Sequence, residues 1–303
     1  LNRSNSASRA YAFSLLALAT LFWAGNWVLG RALRDIFAPN ALNFWRWLIA
    51  LVVLAPFALP RLRGRWGIVR RSFGILCVLA LLGVALFQSL VYSGLKTTTA
   101  VNAVLLNSSM PAFMLACSWA IEREHATRRQ VIGMLISLAG ILVILSRGEL
   151  AALARIQFHS GDALILLAMP VWGVYSVLLK RRPPELDGIA FLFVISAIGA
   201  LLLLPAFALE AQFTPPRWPG AAGMAGVLYV GLAASVGAFI CWNRGVAIVG
   251  ANAAGFMVHL LPAFGTLLAI GFLGESFHLF HALGIVTILA GVMVATRKPA
   301  RVV

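Results

Sequence analysis

The sequence predicts an all-α integral membrane protein of ten transmembrane helices, built as two inverted-topology repeats of five. Three observations carry that reading. The 303 residues are 61% hydrophobic and 11% charged, with a mean hydropathy of +0.94, whereas soluble globular chains carry about 25% charged and about 45–50% apolar residues. The apolar residues gather into ten runs long enough to cross a bilayer. The chain also matches itself at a fixed offset. This composition excludes an ordinary soluble enzyme, a disordered chain and a collagen-like chain. A disulfide scaffold is excluded too: the three cysteines, Cys77, Cys117 and Cys241, each lie inside an apolar run and read as small buried thiols.

A helix crosses the hydrocarbon core in about 20 residues. The first repeat supplies spans at 11–30, 41–60, 72–94, 98–120 and 129–146, and the second supplies 160–180, 188–209, 219–242, 251–273 and 279–296. The runs are too long and continuous for barrel strands. The first is not expected to be a signal peptide: it holds Trp23, Asn26 and Trp27, and no small-residue cleavage site follows a short apolar core. The domain boundaries expected from this are 1–147 and 160–303.

The net charge of +15 does not point to nucleic acid, because the charges punctuate the spans. With the N-terminus in the cytoplasm, ten spans return the C-terminus there. The cytoplasmic side then collects 17 Lys and Arg residues against 6 outside, with Arg46 left within a span. Positive-inside bias has this sign. The expected location is a bacterial inner membrane, with both termini cytoplasmic.

Sliding 94–147 forward by 151 positions without a gap gives twelve identities in 54, against about five expected by chance at this biased composition. Among them are Pro111-Ala112-Phe113 on Pro262-Ala263-Phe264, Glu124 on Glu275, Gly133 on Gly284, and Leu138-Ala139-Gly140 on Leu289-Ala290-Gly291. Trp23 and Trp172 correspond in the first helix of each half. Five spans per half is an odd number, so the second half enters from the opposite side. Such inverted repeats suit carriers, whose pseudo-equivalent halves exchange inward-open and outward-open states around one central site.

The stretch Leu260-Leu261-Pro262-Ala263-Phe264 through Gly274-Glu275 to Gly284 and Ala290-Gly291-Val292 resembles the repeat signature of the EamA family, in the drug/metabolite transporter superfamily. Met110-Pro111 through Glu124 to Gly140 is a weaker copy. Asn43-Phe44-Trp45-Arg46 resembles that family's second-helix arginine segment. The resemblance implies a ten-helix inner-membrane carrier that often exports amino acids or related metabolites. The aromatic-lined first helices look most like the YddG-type exporters of aromatic amino acids.

Pro111 and Pro262 fall mid-span at matched positions. Each removes a backbone donor and frees the carbonyl four residues earlier, at Asn107 and Val258. Interrupted spans at corresponding positions point to a carrier's central site; a kink made for packing alone is the other reading. Polar residues flank both prolines: Asn102, Asn107, Ser108 and Ser109 at the first, Asn252 and His259 at the second. Trp23, Asn26 and Trp27 share one helix face at i, i+3 and i+4, and Trp172, Tyr175 and Ser176 repeat that spacing. Gln88 and Tyr92 share a face of the third helix. Facing lipid, such amides and phenols would stay unpaired at a cost of several kcal/mol, so these faces turn inward, onto a wet cavity or a helix contact. As a set they suit a small amphipathic solute. Arg46, about 10 Å from the outer surface at 1.5 Å per residue, either snorkels outward or presents a cation to a carboxylate in the cavity. His259 is either a satisfied core histidine or a proton carrier. Asp162 is expected to cap the sixth helix, and Glu124 to pair with Arg123 or Arg128.

Small residues, Gly133, Ser137 and Gly140 with Gly284 and Gly291, mark a close helix contact, within one chain or in a homodimer. No paired carboxylates, metal-ligand cluster, HExxH, GxSxG, P-loop or CxxC pattern occurs, so neither an enzyme nor a metal or organic cofactor is expected. The expectation is a secondary transporter exporting neutral amino acids by alternating access, with Pro111 and Pro262 as hinges. A passive channel, or a carrier of phosphorylated metabolites or sugar nucleotides, is the alternative.

Overall fold

The computed structural model describes residues 2–149, 157–214, 219–273 and 276–297. Ten helices long and apolar enough to cross a membrane run through them: α1 (Ala7–Ala32), α2 (Pro39–Leu62), α3 (Phe73–Thr97), α4 (Val101–Glu122), α5 (Arg128–Leu145), α6 (Ser160–Arg181), α7 (Gly188–Phe213), α8 (Gly220–Val249), α9 (Ala251–Gly271) and α10 (Leu279–Thr296). Polar residues set their starts. Asp187 accepts from the amides of Ile189 and Ala190, both at 3.0 Å, and Thr127 and Gln130 form a reciprocal capping box at the head of α5. α8 runs seven residues past the expected end at 242. The helix continues through Asn243 and Arg244 and stops only at Gly250, whose φ of +84° suits glycine. Arg9 donates to the carbonyl of Thr296 (3.0 Å), so the start of α1 and the end of α10 share one face of the bundle. Arg155, Arg217, Glu275, Lys298 and Arg301 lie outside the described residues.

The packing is two-fold in pattern. α1 lies on α8 and α9 as α6 lies on α3 and α4; α2 lies on α8 as α7 lies on α3; α2 pairs with α7, and α5 with α10. Every pair is reproduced when the halves are exchanged. The α5–α10 seam shows this at atomic scale. A Cβ on Gly133 would sit 2.5 Å from the carbonyl oxygen of Gly291, and one on Gly140 would sit 2.7 Å from that of Gly284. Gly133 is equivalent to Gly284 and Gly140 to Gly291, so these are one contact met twice. The small-residue faces therefore close within one chain, by backbone approach.

The prolines break their spans where kinks were expected. α4 comprises helices Ala100–Asn107 and Met110–Glu122, with Ser108 and Ser109 between them; α9 comprises Ala251–Gly255, a 3₁₀ turn Phe256–His259, and Leu260–Leu273. A proline ring displaces the carbonyl four residues back, and here the chain answers with a tight turn. Ser108 Oγ donates to Val104 O at 2.7 Å and Ser109 Oγ to Leu106 O at 2.6 Å. A second shared irregularity carries no sequence signal: π-helical turns at Leu81–Leu86 in α3 and Val230–Gly237 in α8. Moved by 151, the first falls on 232–237, inside the second.

Candidate functional site

A cavity lies among α1, α3, α4, α6, α8 and α9, with ≈ 370 Å³ of atom-free space, open solvent included. Trp23, Asn26, Trp27, Gln88, Asn107 and Trp172 line it, all anticipated from sequence, together with Phe87, Met110, Phe239, Val258 and Leu261. Three pairs of these residues are repeat equivalents at the 151 offset: Gln88 with Phe239, Asn107 with Val258, Met110 with Leu261. Applying the offset to Gln88, Asn107 and Met110 would have found their partners from sequence. The shared frame carries unlike chemistry, since all three lining amides belong to the first half and the second half's wall is apolar.

The aromatic wall is tightly built. Trp23 and Trp172 meet edge to face with ring centroids 5.1 Å apart, and Phe239 packs edge-on to Trp172 at 5.5 Å. Phe87 lies 4.7 Å from Trp172 on the other side. On the amide wall, Gln88 Nε2 and Asn107 Nδ2 are fully buried and have no hydrogen-bond partner among the described residues. A buried donor without an acceptor costs about 1–3 kcal/mol, so this wall demands an acceptor.

Arg46 stands behind that wall. It is 1% exposed, does not snorkel, and does not line the cavity. Its Nε donates to Ser235 Oγ (2.7 Å), Nη2 to Ala234 O (3.1 Å) and Nη1 to Tyr92 Oη (3.2 Å). Tyr92 in turn donates to Asn26 Oδ1 at 2.7 Å, and Asn26 does line the cavity. Among the described residues no carboxylate pairs with Arg46, so its charge reaches the cavity through a phenol and an amide. The π turn of α8 explains the Ala234 contact, because a widened turn exposes carbonyls that a regular helix would use. Trp23 Nε1 donates to the same carbonyl at 3.2 Å. One turn earlier on α2, Asn43 Nδ2 donates to Val84 O (3.2 Å) and Ala85 O (3.1 Å) in the π turn of α3. One stretch of α2 thus serves both irregular turns.

The remaining sequence candidates lie elsewhere. His259 is buried between α4, α5 and α9, with Nε2 against Ser108 O (2.9 Å) and Nδ1 against Ser137 Oγ, so it pins helices together as a satisfied core histidine. Tyr175 is fully buried and donates to Asn243 Oδ1 at 2.9 Å; Ser176 accepts from Trp242 Nε1 at 3.3 Å. Asn102 belongs to a cluster at the face opposite the chain ends, donating to Asp162 Oδ2 and Gln157 O, both at 2.7 Å. Thr98 Oγ1 and the His159 amide also donate to Asp162, which caps α6 as expected and ties it to α3 and α4. Pro111 and Pro262 are buried just after Met110 and Leu261, and stay out of the cavity. At the other face, Glu124 pairs with Lys180 (2.6 Å) and not with Arg123 or Arg128, and it also accepts from Ser118 and Asn252. Its hydrogen bond to the Lys180 ammonium holds its carboxyl below the ordinary glutamate value. Among the described residues no three His, Cys, Asp or Glu side chains converge as a metal site requires.

Comparison with known proteins agrees with this architecture. A model of the EamA-like transporter family matches residues 10–146 and again 159–297. An uncharacterized transporter of Archaeoglobus fulgidus is 30% identical over 287 residues, covering 94% of this chain and 96% of its own. The uncharacterized transporter YetK of Bacillus subtilis is 27% identical, with coverage of 95% and 87%. A probable terminal-alkyne amino-acid exporter of Streptantibioticus cattleyicolor is 25% identical, with coverage of 93% and 92%. A solved crystal structure superposes with a TM-score of 0.73 at 21% identity over 95% of this chain and 96% of that one, which speaks for the fold alone.

Proposed function

The chain belongs to the EamA-like transporter family, and from that premise we propose that it exports small neutral amino acids, aromatic ones among them, by alternating access. The observation that carries this is the division of the cavity. Gln88 Nε2 and Asn107 Nδ2 offer unpartnered donors on one wall, Arg46 lends positive charge from behind them through Tyr92 and Asn26, and tryptophans and Phe239 form the opposite side. A carboxylate fits the first wall and an apolar or aromatic side chain fits the second. The name of the Streptantibioticus relative supports the same solute class. A phosphorylated metabolite would call for several cations, and no Lys or Arg among the described residues lines this cavity.

In this reading the halves 1–147 and 160–303 are the moving units, and the breaks before Pro111 and Pro262 are where α4 and α9 flex. The Asp162 and Glu124 clusters close the two ends of the path. Positive-inside bias places the chain ends in the cytoplasm of a bacterial inner membrane. The test is counterflow. Liposomes holding the pure protein are loaded with unlabelled phenylalanine, threonine or methionine and given a trace of labelled solute outside. A transient overshoot without an ion gradient is the expected result. Plain equilibration would mark a channel, and no uptake by folded protein would overturn the amino-acid assignment.

A further inference from the structure

At the face that carries both chain ends, a second and wider vestibule opens among α1, α2, α7 and α8, with ≈ 870 Å³ of atom-free space, open solvent included. Arg61, Arg182, Arg244 and Asp187 supply its charge. The acidic groups nearby are largely spoken for. Asp187 lies 3.4 Å from Arg61, and Glu185 in the same loop is held by Arg71 and by the backbone contact of Arg65. Arg182 and Arg244 have no carboxylate within ion-pair distance among the described residues. Arg182 is half-buried with its guanidinium 5.6 Å over the Phe191 ring. Burial above all, and with it the like charge of Arg244, push its pKa down, against the opposing pull of Tyr175 and Asp187.

The floor of this vestibule supplies an independent sign of a ligand. Asn243 lines it and is 4% exposed. Its Oδ1 is occupied by Tyr175, and its Nδ2 has no partner among the described residues. Ile189 and Ile240 make an apolar wall beside it. Asn243 also stands four residues along α8 from Phe239, which lines the central cavity, so one helix face connects the two chambers.

We propose that the vestibule is a loading site for small organic carboxylates, in which Arg182 and Arg244 clamp the anionic head, Asn243 Nδ2 donates to it, and the solute waits one helical turn from the central cavity. Guanidinium pairs suit this role, since each presents a fork of donors matched to two carboxylate oxygens. The identity of the cargo rests on the amino-acid reading above; the site itself does not.

The test uses the full chain in phosphatidylcholine nanodiscs, titrated calorimetrically with N-acetylphenylalanine, phenylalaninamide and inorganic phosphate. The acetylated acid is expected to bind and the amide, which lacks a carboxylate, is not. R182Q/R244Q should weaken the acid about 10-fold or more, and R182K/R244K less. Should the double variant fail to fold, R244Q alone, at an exposed position, carries the measurement. Unchanged affinity in the arginine variants overturns the proposal. Phosphate binding as tightly as the acid, or added phosphatidylglycerol abolishing acid binding, would make this a phosphate or lipid-headgroup site and overturn it equally. Counterflow that persists with arginine-independent binding sinks this inference alone. Absent counterflow with arginine-dependent binding sinks the amino-acid export reading and leaves the site standing.

Discussion

Around the central cavity the first half of the chain presents Gln88, Asn107 and Met110 where the second presents Phe239, Val258 and Leu261. The backbones at these positions are related by the repeat, down to the shared breaks in α4 and α9 and the shared π turns in α3 and α8. What differs is side-chain chemistry alone. Symmetry supplies the two-state frame a carrier needs, and its violation supplies an oriented pocket, with one wall for a polar head and the other for an apolar tail. A fully symmetric lining would bind a solute equally well in two orientations.

Several changes would break or sharpen this contrast. The largest effect is expected on α2, whose polar residues serve both halves. Arg46→Leu removes three buried hydrogen bonds of a guanidinium, to Ser235, Ala234 O and Tyr92, and should cost about 3 kcal/mol of stability; Asn43→Leu, which releases only contacts to α3, should cost about 1–2 kcal/mol. Thermal unfolding in detergent reads both, and equal losses would refute the unequal roles. At the α5–α10 seam, Gly133→Ala drives a methyl onto backbone atoms at 2.5 Å and should cost about 2 kcal/mol. Its equivalent Gly284→Ala meets the branched Ile144 side chain and, at 2.8 Å, the carbonyl oxygen of Gly140, and should cost about as much. In transport, Gln88→Leu should raise KM for a zwitterionic solute about 10-fold, while Phe239→Leu at the equivalent position should leave that KM and erase up to about 10-fold of preference for aromatic over aliphatic side chains. The same shift in both variants would dissolve the two-wall description.

The smallest effect concerns pH. Glu124 titrates below its ordinary value because Lys180 bonds its ionised form. A depressed carboxyl contributes stability above its unfolded pKa of about 4.3 and loses it as pH falls through the lower folded value. Glu124→Gln should therefore be destabilised at pH 7 by less than about 1 kcal/mol, since the pair is solvent-screened, and should converge with the unsubstituted protein below pH ~4. A difference that persists in acid would mean that Lys180 is not the cause.

The ten spans, the repeat and six of the eleven cavity residues were legible in the sequence because hydropathy, prolines and paired aromatics are composition signals that survive without geometry. The rest were illegible for identifiable reasons. A π turn needs one extra residue in a helix and leaves no mark in apolar text such as Leu81–Leu86. Tyr175 and Ser176 share a face with Trp172, yet that face is wide, and only Trp172 reaches the cavity. His259 and Asn102 looked like pocket residues because polarity reports burial with a partner, and the partner can be a helix carbonyl or an aspartate as readily as a solute. Whether Arg46 would snorkel or turn inward depended on Ser235 and Ala234, almost 190 residues away in the chain.

The paired π turns also speak to descent. Overlapping π turns at equivalent positions in both halves are simplest if the half-length ancestor already had one when the gene doubled. That ancestor, working as an antiparallel pair, would have filled each widened turn from its neighbour's second helix in the same way twice. In the present chain the service is lopsided. Asn43 and Arg46 of α2 occupy both turns, while the middle of α7, from 191 to 207, retains a single polar side chain, Ser196. Fusion into one chain freed each copy from serving two places at once, and α2 kept the polar duty while α7 became greasy.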